Sequence, residues 1–307
     1  MNAKETMLLA RTKETVIPAF NIPYLPMLEA VVRAVADENS VAIIHVARVE
    51  WEKFSAKSLE AVAEEYRKHE KPGHTLLGLD HVPVIDEDLK QVDYLPIIRR
   101  AVDAGFQSVM IDGSRLELKA NIDVTAEVAD LVHSAGLACE GELGAVMGHE
   151  GGPTKPYEEI FANRLGFTDP IEAGRFARES RCDWMSVAVG NIHGAVAEAT
   201  RHQKKPQARL DVNHIEVLYK ATGLPLVLHG GSGIPAAFIL QGIKAGIAKI
   251  NVGTEIRQAY ENAMVAVADT GLAREAVYKR VRELIVDMEI QNSKELLQGP
   301  SPAGDSR

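Results

Sequence analysis

Two cysteines in 307 residues are too few for a disulfide framework. Cys139 and Cys182 stand in apolar, strand-like surroundings and form no metal-spaced pattern, so both read as reduced packing residues of a cytoplasmic protein. No apolar run reaches the roughly 18 residues that a membrane-spanning helix needs. The first ten residues also lack the ordered regions of a secretory leader. Positive charge is in deficit: the formal net charge is −9, which argues against nucleic acid or an acidic membrane surface as a partner. Any anionic substrate would then need a local positive site made by a metal, backbone amides, or individual Lys and Arg side chains.

Hydrophobic residues make up 46% of the chain, enough for one large core. Short apolar runs recur at 16–20, 41–46, 75–79, 107–111, 137–143, 184–189, 224–228 and 247–252. Between them the apolar spacing predicts helices over 27–37, 58–69, 94–104, 122–135, 171–179, 212–222, 236–245 and 255–268. Strand followed by helix, eight times over, predicts a closed parallel (β/α)8 barrel of the TIM type in the α/β class. Gly105, Gly136, Gly223 and Gly246 each follow a helix pattern and precede a strand, as helix-ending glycines do. The barrel is expected to fill residues 1–270. A C-terminal helical extension over 271–295 should pack on it, and 296–307 should be a disordered tail.

In such a barrel the chemistry gathers where strands end. Polar residues at these ends are Asn21, Asp80 with His81, Asp112 with Ser114, Glu140 and Glu142, His193, His229 and Asn251. Three histidines from three strand ends suit zinc, which takes neutral imidazoles and keeps a position open for substrate. Glycines after His229 and Asn251, with the hydroxyls of Ser232 and Thr254, suit a phosphate group. Asp112 reads as a turn cap through Ser114. His45, His69, His74, His133, His202 and His214 read as structural or solvated, and Lys204-Lys205 as a solvated loop.

Six stretches, in order, carry a resemblance to a known family: Gly78-Leu79-Asp80-His81, the 108–114 run, Glu140-Gly141-Glu142-Leu143-Gly144, the 187–194 run through His193, the 227–235 run through His229, and Lys249-Ile250-Asn251-Val252-Gly253-Thr254-Glu255. Together they resemble the class II, zinc-dependent ketose-bisphosphate aldolases, which include fructose- and tagatose-bisphosphate aldolases. The resemblance implies a (β/α)8 lyase that reversibly cleaves a ketose 1-phosphate or 1,6-bisphosphate to dihydroxyacetone phosphate and an aldehyde. It implies zinc on His81, His193 and His229, with Glu142 as an alternative contact. Asp80 matches the catalytic aspartate, and Glu150, in a mobile glycine-rich loop, the second proton-moving group. The substrate phosphate would lie on Gly230, Gly231, Ser232, Val252, Gly253 and Thr254. Asn21 and Asn251 would stand near the substrate carbonyl. A Na+ or K+ ion would use carbonyls of Gly194, Gly230 and Ser232, and Gly194 would also adjoin the substrate. A homo-oligomer, dimer or tetramer, is expected. The chain departs from the family pattern at Val82-Pro83, at His149, and at the strand-two end His45-Val46-Ala47-Arg48, where a serine is usual. Arg48 reads first as a surface ion pair with Glu50 or Glu52, and otherwise as the contact for an anion on the distal half of the sugar. Two rivals stay open: a Schiff-base aldolase using Lys249, and a non-catalytic sugar-phosphate-binding protein.

Overall fold

The computed structural model describes residues 1–144, 156–191 and 208–297. Eight strands, β1 (Ile17–Asn21), β2 (Ala42–Ala47), β3 (Thr75–Pro83), β4 (Ser108–Asp112), β5 (Ala138–Leu143), β6 (Trp184–Val187), β7 (Leu226–Leu228) and β8 (Ile247–Val252), pair in parallel and in sequence order. The last pairs with the first, Ile17 against Lys249, so the sheet closes into a barrel and has no edge. Helix α1 (Ala3–Thr12) precedes the barrel. Around it run α2 (Met27–Asp37), α3 (Arg48–Glu52), α4 (Leu59–His69), α5 (Tyr94–Asp103), α6 (Leu118–Ser134), α7 (Tyr157–Ala162), α8 (Pro170–Ser180), α9 (Val212–Thr222), α10 (Ala236–Ala245) and α11 (Thr254–Val267). Two further helices, α12 (Thr270–Asp287) and α13 (Ser293–Leu297), follow.

The strands are buried on both faces, which is why they read as unbroken apolar runs. Their outward residues, such as Phe20, Ile44, Val109 and Met185, meet the helix layer in one large core. Their inward residues near the strand starts, Ile17, Ile43, Leu76, Ala138, Trp184 and Val227, form a second cluster. Met7 and Ala10 of α1 and Leu297 of α13 belong to that cluster, so these two terminal helices floor the barrel. Helix α1 starts where Asn2 accepts the Glu5 N–H and ends at Lys13. Helix α12 lies along α2, with Tyr278 donating to Asp37 at 2.8 Å and Arg282 paired with Glu38 at 2.5 Å. With the floor packed by apolar side chains, the interior can turn polar only toward the strand ends.

The predicted strands and helices all form, with bounds that match or shift by up to four residues. Helix α6 starts at Leu118, ahead of the expected 122. Helices α1, α3 and α7 were not expected. Gly105 and Gly223 adopt φ of 84° and 68°, the left-handed turn that ends a helix before the next strand. Both cysteines are free and buried. No helix among the described residues is long and apolar enough to cross a membrane.

Candidate active site

β3 carries two site residues because its alternation breaks at its end: the register with β4 shifts between Leu79 and Val82. Asp80 points inward and is buried. Its Oδ2 accepts from Asn21 Nδ2 at 2.8 Å, and its Oδ1 accepts from Asn251 Nδ2 at 2.9 Å. β1 and β8 flank each other, so the two asparagines reach the same carboxylate from adjacent strands. Burial alone would raise the Asp80 acid, but the neighbouring His81 and His45 outweigh it and hold the carboxyl well below its usual range.

His81 and His229 face each other with ring centroids 4.5 Å apart. Ligand atoms of Asp80, His81 and His229 lie within 4.8 Å of one another. Glu142 Oε2 stands 3.8 Å from His81 Nδ1 and 3.4 Å from His229 Nδ1, and Asp112 Oδ2 stands 3.4 Å from His81 Nδ1. Asp112 also caps the following turn, accepting the Ser114 N–H at 3.0 Å and its hydroxyl at 2.6 Å.

His229 is held from below. Its Nε2 lies 2.9 Å from Glu140 Oε1, and Glu140 Oε2 accepts from Trp184 Nε1 and from Lys249 Nζ, each at 2.5 Å. Four strands thus contribute one buried charge network. Burial would raise Glu140, yet Lys249 and His229 hold it down at about 2. A carboxylate on Nε2 fixes the ring and its tautomer, the usual support for an imidazole that offers its other nitrogen to a metal. At the rim, Asn191 locks the end of β6 to the end of β7, donating to the His229 carbonyl at 2.9 Å.

The residues fit a cation. Among the described residues, Asp80, Asp112, Glu140 and Glu142 are packed together with Lys249 as their one lysine. Among the described residues, Glu142 Oε2 is buried without a hydrogen-bond donor. Burial and then Asp112 push Glu142 far above its usual value. His81, which burial alone would pull down, is raised to about 10 by Asp80, Asp112 and Glu142. A proton on Glu142 and one on His81 are what this much buried negative charge demands when no metal neutralises it.

Other expected residues fall as follows. Thr254 opens α11 directly after Gly253, so first-turn N–H groups of a 14-residue helix point at the strand ends. The Gly231 N–H is spent on the Asn251 carbonyl at 3.1 Å. A Cβ at Gly231 would fall 2.4 Å from Ile250 Cγ2, so the close approach of the two loops requires glycine there. Arg48 begins α3 and is paired with Glu52 at 2.9 Å and Asp86 at 3.3 Å. Glu150, His193, Gly194 and Lys204-Lys205 lie outside the described residues.

Three side chains of the site were not singled out by sequence reasoning. His45, left as structural, puts Nδ1 3.4 Å from Asp80 Oδ1. Glu50 is buried, accepts the Ala47 N–H at 2.8 Å, and is raised to about 8, chiefly by burial. Glu140 was noted only as a strand residue. Its partners Trp184, His229 and Lys249 are far apart in sequence, so only the barrel register shows the link. A polar residue inside an otherwise apolar strand was the available signal for His45 and Lys249.

The carboxylate-rich mouth of this (β/α)8 barrel, with two histidines in contact, is a residue group able to hold a metal ion. Comparison with known proteins sharpens this. The family model of class-II fructose-bisphosphate aldolase matches residues 1–296, and the chain belongs to that family. It is therefore an aldolase of class II, a lyase acting on a phosphorylated sugar. A probable fructose-bisphosphate aldolase of Bacillus subtilis (strain 168) is 33% identical, covering 82% of this chain and 80% of that protein. A fructose-bisphosphate aldolase of Staphylococcus epidermidis is 28% identical over 95% of this chain and 98% of its own. Among solved structures, the YdjI aldolase from Escherichia coli K12 is similar with a TM-score of 0.76 at 27% identity, covering 95% of this chain and 98% of that one.

Proposed function

We propose that this protein is a zinc-dependent aldolase that reversibly cleaves a ketose 1-phosphate or 1,6-bisphosphate to dihydroxyacetone phosphate and an aldehyde. The observation that supports this best is a buried Asp80, anchored by two asparagines, beside His81 and His229 in a carboxylate-rich cluster able to hold a metal. His81, His193 and His229 would hold the metal, with Glu142 as an alternative contact, and the metal would supply Lewis-acid stabilisation of negative charge on the ketone oxygen.

The chain's own residues supply the proton transfers and the orientation. Asp80, kept anionic, takes the proton of the C4 hydroxyl. The C4–O bond then becomes a carbonyl, the C3–C4 bond breaks, and its electron pair stays on the dihydroxyacetone phosphate half. Glu150, from the loop after β5, returns a proton to C3. Asn21 and Asn251 orient Asp80 and adjoin the reacting carbons. The phosphate rests on the Gly230–Ser232 segment and the first turn of α11, with Thr254 adding a hydroxyl. Within this reading, Arg48 meets a distal anion by exchanging its Asp86 contact.

Lys249 is a poor Schiff-base candidate, since its amine is buried against Glu140. The test is cleavage of fructose, tagatose and deoxy-ketose phosphates by the purified chain, with dihydroxyacetone phosphate as the product measured. Absence of that product from every ketose phosphate, with zinc supplied, rejects the reading. Trapping of a lysine adduct by borohydride with substrate replaces it with the Schiff-base mechanism.

A further inference from the structure

We propose that His45 is a positioning residue that commits Asp80 to receive the substrate proton at Oδ2. The proposal rests on the reading of Asp80 as the acid–base group. Each carboxylate oxygen has two in-plane lone pairs. Oδ1 faces two donors, Asn251 Nδ2 at 2.9 Å and His45 Nδ1 at 3.4 Å. Oδ2 faces one, Asn21 Nδ2 at 2.8 Å. Among the described residues, one lone pair of Oδ2 is thus left to face a substrate hydroxyl.

His45 is held to this task by its surroundings. It is 1% exposed, and among the described residues its buried Nδ1 makes no standard hydrogen bond, its approach to Asp80 Oδ1 being the 3.4 Å contact. The β2–β3 register sets His45 opposite Gly78. An ideal Cβ on Gly78 would fall 2.6 Å from both Cδ2 and Nε2 of the His45 ring and 2.8 Å from Ser108 Oγ. The missing side chain of Gly78 is the space in which the imidazole lies. With one edge seated over Gly78, the ring presents its other edge to Asp80, two residues further along β3. A buried nitrogen aimed at an already anchored carboxylate, from a ring that needs a glycine beneath it, is more than packing requires.

The experiment compares His45→Leu, His45→Asn and Gly78→Ala in the zinc-loaded full chain. Leucine fills the ring volume without an N–H, and the asparagine amide nitrogen can stand where Nδ1 does. Fructose 1,6-bisphosphate is the probe for cleavage. Solvent exchange of the dihydroxyacetone phosphate C3 proton is the second readout, because it does not use Asp80. His45→Leu should lower kcat for cleavage about tenfold, a fraction of the hundred- to ten-thousandfold that an acid–base group supplies. KM, zinc content and C3 exchange should stay within about threefold, the span that ordinary repacking leaves. His45→Asn should recover most of kcat, and Gly78→Ala, whose methyl displaces the ring, should behave like His45→Leu.

Wild-type kcat in His45→Leu, no better kcat in His45→Asn, or equal loss of C3 exchange would each overturn the proposal. Should His45→Leu fail to fold, Gly78→Ala with unchanged kcat overturns it. If the wild-type protein neither cleaves the bisphosphate nor exchanges C3, the aldolase reading fails instead, whatever the variants do.

Discussion

The proposed chemistry turns on Asp80, and its environment explains why it stays anionic deep in the barrel. Asn21 and Asn251 each donate to it, and His81 and His45 add favourable charge and hydrogen bonding. Asp80→Ala is expected to fold and bind zinc but lose roughly two to four orders of magnitude in kcat. Unchanged turnover would remove it from the mechanism. His229→Ala should lower bound zinc and activity together, as elemental analysis and a cleavage assay on one preparation would show. Among the described residues it should also leave the Glu140 carboxylate with Trp184 and Lys249 as partners. Glu50 gives a pH test. Its acid is raised from 4.5 to about 8, so the folded chain binds the extra proton over that window. The stability this confers is complete below pH 4.5 and is lost as pH rises through about 8. Metal-free wild type should therefore lose stability against Glu50→Gln between pH 5 and 8, by up to about 1.4 kcal/mol per pH unit. Parallel melting curves across that range would contradict the burial argument.

The elements were legible where local pattern and tertiary demand agree. All eight strands could be read because each is buried on both faces and bounded by turn residues. Helices α2, α9 and α10 begin and end where the apolar spacing does. Helix α1 was passed over because its sequence was weighed only as a leader, and its apolar face has meaning only against the barrel floor. Helix α3 is five residues long and has no period to detect. At the site, residues adjoining glycine-rich strand ends could be read, while the roles of His45, Glu50 and Glu140 could not. Their roles depend on the cross-barrel register, which no local window contains. The floor has its own test: Met7 is 1% exposed within the inner cluster, so Met7→Ala should cost about 2–5 kcal/mol in chemical denaturation. KM should not change, because the site lies at the opposite end. A loss under about 0.5 kcal/mol, the size of an ordinary surface change, would mean that α1 does not seal the barrel.

For the whole molecule, polarity is graded along the barrel axis. Apolar side chains close the floor, the Glu140–Lys249 pair spans the middle, and carboxylates with histidines gather at the mouth. A chain with net charge −9 can still bind a phosphorylated sugar if its positive charge comes from a metal and from the first turn of α11. The most direct test is dihydroxyacetone phosphate release from fructose 1,6-bisphosphate by one preparation, before chelation, after it, and after zinc is restored. The account predicts activity, then its near-complete loss, then its return with about one zinc per chain at a three-histidine site. Full activity in the metal-free protein would contradict it.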